Sequence, residues 1–116
     1  MITKGIRGAI TVDNNTAQDI EVATLELLTN MVEKNNIKKE NISHAIFTLT
    51  NDLNAEFPAK FARLNFGWDN VAMMCYHELD VPDSIEKCLR ILIVVNEKND
   101  FVPQFVYLKG ASNLRK

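Results

Sequence analysis

Apolar residues recur along this chain with two different periods. Ile20, Ala23, Leu27, Leu28, Met31 and Val32 fall three and four apart, the spacing of one helix face. A long helix is predicted over about Thr16–Asn35. Thr16 suits its N-cap, with Asp19 three residues on, and Asn35-Asn36 suits its end. Five other stretches read as strands: Met1–Val12, His44–Thr50, Val71–Tyr76, Cys88–Val95 and Gln104–Leu108. Ile46 and Phe47 are core candidates of the second. Pro58 fits the first turn of a short helix running to about Asn65, and Asp83–Lys87 is expected to make a helical turn. Five strands with one long and one short helix make the fold class α+β. One long helix cannot cover both faces of such a sheet, so identical subunits are expected to cover the other.

The Cys88–Val95 strand contains a misfit. Its residues are β-branched and apolar except for Arg90. Alternation puts Cys88, Arg90, Leu92 and Val94 on one face and Leu89, Ile91, Ile93 and Val95 on the other. A guanidinium keeps its proton, so burying one requires a partner or an anionic ligand. Glu78 lies just past the Val71–Tyr76 strand. If the two strands are neighbours, Glu78 and Arg90 face one cavity, with Cys75 beside them. A strand arginine is more often a structural ion pair than a catalytic group, so the remaining residues must decide.

Composition narrows the classes. A chain of 116 residues, 47% hydrophobic and 24% charged, is that of a single globular domain spanning 1–116. A net charge of −2 argues against a nucleic-acid partner. No apolar run reaches the roughly 20 residues of a membrane span, and the first residues lack a signal-peptide pattern. The cytoplasm is the expected compartment. Cys75 and Cys88 match no zinc or redox spacing, and the lone His44 and His77 make no metal site. No Walker loop, dinucleotide fingerprint or defensible Ser-His-Asp spacing is present. Cys75 and His77 would share a strand face only if that strand continues through His77.

A different chemistry is suggested by the cations. Arg7 sits between two glycines in Gly5-Ile-Arg-Gly-Ala9, and glycine inside a strand often marks close approach of a ligand or of another backbone. The plainer alternative is packing against a helix. Lys60 and Arg63, three apart on the short helix, share a face. With Arg90 and Arg115 they suit a small polyanion in a chain that is otherwise mildly acidic.

These landmarks, taken in order, resemble one family nearly end to end. They are Gly5-Ile-Arg-Gly-Ala9; Asp52-Leu-Asn-Ala-Glu-Phe-Pro-Ala59 with Ala62-Arg63; Gly67-Trp68; Cys75-x-x-Glu78-x-x-Val81-Pro82; Cys88-x-Arg90; and Val106-Tyr-Leu-x-Gly-Ala111 with Leu114-Arg115. The chain is similar to the small AroH-class chorismate mutases. The resemblance implies a five-stranded mixed sheet in a pseudo-α/β-barrel homotrimer, with active sites in clefts between subunits. It implies rearrangement of chorismate to prephenate, on the route to phenylalanine and tyrosine, with no cofactor and no metal.

The resemblance also implies roles. Arg90 would donate to the ether oxygen, Glu78 would accept from the ring hydroxyl, and Cys75 would bond in the same corner. Arg7 and Tyr107 would hold carboxylate oxygens. Phe57 would come from the neighbouring subunit, with Lys60, Arg63, Leu114 and Arg115 near the entrance. Met74, Tyr76 and His77 would line the site, Met74 standing where the family commonly has a smaller or polar residue. Two other readings share the fold: an imine-hydrolysing RidA-like trimer, and a non-catalytic trimer that binds an aromatic acid.

Overall fold

The computed structural model describes residues 1–114. Strand β1 (Ile2–Thr11) leads into helix α1 (Ala17–Asn35). Strand β2 (Ile42–Leu49), helix α2 (Pro58–Phe66) and strand β3 (Ala72–His77) follow. Strands β4 (Cys88–Glu97) and β5 (Val106–Leu108) complete the sheet. The strand order is β3-β2-β4-β1-β5. The centre is antiparallel, with β4 paired to β1 and to β2; the flanking pairs, β2–β3 and β1–β5, are parallel. A parallel pair needs a crossover, and α2 supplies the one between β2 and β3.

Helix α1 begins as its sequence predicts. The Thr16 side chain accepts the Asp19 backbone N–H at 3.1 Å, and Asn36 ends the helix in the left-handed region (φ 49°). Asn35 is buried and fully used. Its amide donates to the Met31 and Gln104 carbonyls, and its oxygen accepts the Gln104 N–H. These bonds tie the lead-in of β5 to the end of α1.

Both helices lie on one face of the sheet. Ile6, Ile10, Phe47, Leu89, Ile91, Ile93 and Val95 point towards them and are buried against Ile20, Leu27, Leu28 and Met31. Each such side chain contributes about 1.5–3 kcal/mol through burial. The opposite face carries Arg7, Ile46, Thr48, Leu92 and Val94, with no helix over it among the described residues. This is the exposed apolar face that composition and element count led us to expect. Met74 and Tyr76 extend it at the β3 edge, 57% and 46% exposed.

Several expectations need correction. β2 starts at Ile42, two residues early, after a 3-10 turn at Lys39–Asn41. Ile46 is not a core partner of Phe47: neighbours in a strand face opposite ways, and Ile46 lies on the open face. β5 is only Val106–Leu108 and gives way to a 3-10 turn at Lys109–Ala111. Asp83–Lys87 forms no helical turn. Asp83 and Lys87 hold left-handed φ values of 64° and 44°, which a helix cannot contain. Gly8 answers to α1 rather than to a ligand, since a Cβ there would run into the Met31 sulfur and crowd Leu27.

Candidate active site

The open face is built in rows across the sheet. Strand register sets Tyr107, Ala9, Arg90, Thr48 and Tyr76 side by side on β5, β1, β4, β2 and β3. Ala9 is the small member, and its methyl leaves room between Tyr107 and Arg90. Arg7 and Leu92 are opposite each other in the next row. The result is a cleft of about 270 Å³ with Arg7, Ala9, Thr48, Arg90 and Tyr107 in its walls.

Glu78 lies beyond the end of β3, beside the cleft residues Thr48 and Arg90. Its N–H donates to the Leu49 carbonyl at 3.0 Å, which carries the strand pairing one residue further. Alternation then aims its side chain to the face that holds Arg90. Arg90 Nε donates to Glu78 Oε2 at 3.1 Å, and Thr48 Oγ1 donates to the same oxygen at 3.1 Å. Glu78 is 16% exposed and Arg90 34%. The expectation took the two strands as neighbours; β2 lies between them, yet Glu78 and Arg90 still meet, through the Arg90 Nε. The Tyr107 hydroxyl is buried with no hydrogen-bond partner among the described residues. A buried hydroxyl left unpaired costs about 1–3 kcal/mol, so this one marks a place for a ligand oxygen.

Cys75 is not beside them. It pairs with Phe47, while Tyr76 pairs with Thr48, so Cys75 faces the helices and Arg90 faces away from them. Cys75 instead lies with Phe57, Tyr76 and His77 in a second cleft of about 280 Å³ on the β3 edge. Phe57, 70% exposed, caps α2 from outside; Lys60 and Arg63 are exposed on that helix, and Lys60 pairs with Glu56 at 2.8 Å. Binding sites for small molecules usually enclose about 300–1,000 Å³. Each cleft falls just short, and each holds only part of the expected set. A larger cleft of about 560 Å³ lies where β1 starts and β4 ends, between Met1, Asn36, Lys98 and Phe101. It contains none of the candidate residues, and Asn35 in its wall already has partners, so size does not identify the site.

β3 does continue through His77, so Cys75 and His77 share a face. They do not make a nucleophile and base. The His77 Nε2 bonds the Leu53 carbonyl at 2.9 Å, which requires the proton to sit on that nitrogen. Burial pushes the Cys75 thiol up, only partly offset by a backbone hydrogen bond from Ala59. Cys88, fully buried near the Arg90–Glu78 pair, is pushed up to about 11, chiefly by burial, against the pull of Arg90. Neither is a thiolate at neutral pH. Leu114 is half-buried against Ala9, Cys88 and Ala111, and Arg115 lies outside the described residues.

Sequence reasoning missed two supports. Thr48 bonds Glu78, and Thr50 with Asp52 staples the start of β4. The Thr50 hydroxyl donates to Asp52 and accepts the Cys88 N–H at 2.9 Å, while the Lys87 N–H donates to Asp52 at 2.9 Å. Burial would raise the Asp52 carboxyl, but the bonds from Thr50 and the Lys87 backbone outweigh it and hold it below the usual value of 3.8. A lowered folded-state pKa stabilises above the unfolded value and is lost as pH falls through the folded one. Asp52→Asn should therefore lower the denaturation midpoint at pH 7. The gap to the parent should close as pH drops below 3.8. Equal midpoints at pH 7 would rule the staple out.

The comparisons agree with this geometry. The family model for chorismate mutase type I matches residues 3–116. The chorismate mutase AroH of Bacillus subtilis (strain 168) is 38% identical over 119 aligned positions, covering 99% of this chain and 91% of that protein. That of Thermus thermophilus is 40% identical, covering 98% and 94%. A solved chorismate mutase from Clostridium thermocellum superposes with a TM-score of 0.87 at 48% identity, over 93% of this chain and 96% of that one. With a family model and relatives that span nearly its whole length, this chain belongs to the chorismate mutase type I family.

Proposed function

We propose that this chain rearranges chorismate to prephenate at a site shared by neighbouring copies. The Arg7–Glu78–Arg90–Tyr107 cleft of one copy meets the Phe57–Cys75 cleft of the next. The two clefts share no lining residue, one lying on the open face and the other at the β3 edge, and each holds only part of the set, so we join them across copies. Joining unlike surfaces head to tail closes into a ring, and three copies is the arrangement we propose. It would also cover the open apolar face.

The reaction is an intramolecular Claisen rearrangement. One C–O bond breaks and one C–C bond forms, with no proton transferred and no electron exchanged with the protein. Catalysis then reduces to holding a compact reactive conformer and meeting the charge that develops. Arg90 would donate to the ether oxygen as it gains negative charge. Glu78 would accept from the ring hydroxyl and oppose the positive charge spreading over the ring. Arg7 and the Tyr107 hydroxyl would take carboxylate oxygens, and Cys75 would bond from the neighbouring copy. Lys60 and Arg63 would draw the dianion inward, with Arg115 beside them, and Met74, Tyr76 and His77 would line the wall. Neutral thiols suit this role, in which a proton donor is wanted and a nucleophile is not. Free cysteines fit a cytoplasmic setting, where we place the reaction.

The observation that carries this reading is the pair itself: a guanidinium on the wall of the cleft that also holds Arg7, with a carboxylate 3.1 Å from it. The test is to add chorismate to purified protein in the presence of a chelator. Chorismate absorbance should fall and prephenate should be recovered as the product. Chorismate that persists unchanged would refute the proposal.

A further inference from the structure

Thr48 is the residue of this site to which nothing so far assigns a role. It stands between the two charged groups, opposite Arg90 on β4 and opposite Tyr76 on β3. Its hydroxyl and the Arg90 Nε converge on one oxygen of Glu78, each at 3.1 Å. Both of these bonds fall on Oε2 and neither on the other carboxylate oxygen, Oε1. Glu78 lies past the end of β3, tethered by one backbone bond to Leu49, so its side chain is free to rotate unless something holds it.

What the hydroxyl prevents follows from arginine chemistry. A carboxylate beside a guanidinium prefers two parallel bonds, oxygen to nitrogen twice over. That arrangement would occupy the terminal nitrogens of Arg90, which the rearrangement needs for the ether oxygen. A second donor on Oε2 favours the single bond through Nε. It turns Oε1 away from the pair and leaves the terminal nitrogens free of Glu78. Resting on the mutase reading above, we infer that Thr48 is a positioning residue for the rearrangement, keeping the Glu78–Arg90 pair singly bonded so that both groups still face the substrate.

Thr48→Val tests this with little steric change, since valine has nearly the same shape and is at home in a strand. Bonds from a neutral donor to a charged group contribute enough that about a tenfold loss in kcat is expected. KM should move less, because substrate carboxylates are held by other groups. Thr48→Ser restores the hydroxyl and should recover most of the loss. Thr48→Ala should match valine, and it carries the test if valine disturbs folding, which circular dichroism reports. The decisive readout is a double-mutant cycle. A residue acting only through Glu78 has little left to lose once Glu78 is gone, so in a Glu78→Ala background Thr48→Val should change kcat by no more than about twofold. The inference is overturned if Thr48→Val alone stays within about twofold of the parent, or if its loss is undiminished in the Glu78→Ala background. An unsubstituted protein that leaves chorismate unchanged would bring down the mutase reading, and this inference with it. That failure is seen before any substitution is made.

Discussion

Arg90→Lys should fold, assemble and bind chorismate, and yet lose about a hundred- to a thousandfold in kcat, the loss typical of one well-placed donor to a developing oxyanion. The charge is kept in this exchange; the fork is not. Arginine uses Nε for Glu78 and has two further terminal nitrogens on a residue that lines the cleft. Lysine ends in one ammonium group on a flexible stem, and that group must choose between Glu78 and the ether oxygen. Beside a carboxylate that is only 16% exposed, it will choose Glu78. The loss should fall on kcat more than on KM, because the ether oxygen carries more charge in the transition state than in bound chorismate. Circular dichroism and particle mass must match the parent for the comparison to hold. A lysine variant that folds normally and keeps kcat within about threefold, well below that range, would show that Arg90 does not serve the ether oxygen.

Much of this was legible along the chain. Period-two alternation in Cys88–Val95 separated Arg90 from Leu89, Ile91, Ile93 and Val95, and the structure does the same: those four are buried under the helices while Arg90 looks the other way. Thr16 and Asn36 bounded the long helix within a residue. The pairing of Glu78 with Arg90 was expected only if β3 and β4 were neighbours. They are not: β2 lies between them, and Glu78 reaches Arg90 past Thr48 of β2.

What failed was whatever depended on register or on contacts distant in sequence. Cys75 and Glu78 are three apart, and in an extended strand an odd separation means opposite faces. Treating Glu78 as a loop residue hid that rule; its bond to Leu49 brings the rule back into force. Asp83–Lys87 has helix-like composition, but Asp52, more than thirty residues earlier, takes the Lys87 N–H and sets a different backbone. Thr48 reads as an ordinary strand threonine until the β2–β4 register puts it opposite Arg90. Gly8 had two readings from the start, and only the approach of Met31 selects between them.

The central claim is that one substrate is enclosed by unlike clefts of two copies, and mixing two damaged proteins tests it most directly. Arg90→Ala spoils the cleft on the open face and leaves the Phe57–Cys75 cleft intact. A Phe57→Ala, Cys75→Ala double substitution does the reverse. Each protein alone should be nearly inactive. Unfolding the two together and refolding them lets copies mix, and each junction then joins one cleft from each neighbour. With equal amounts and random closure into rings, about one junction in four has both clefts undamaged. Activity should therefore rise from near nothing to about a quarter of the parent's, and only after mixing through the unfolded state. If the mixed, refolded and correctly assembled protein is no more active than the average of its two parents, the site lies within one copy, and the shared-site account is wrong.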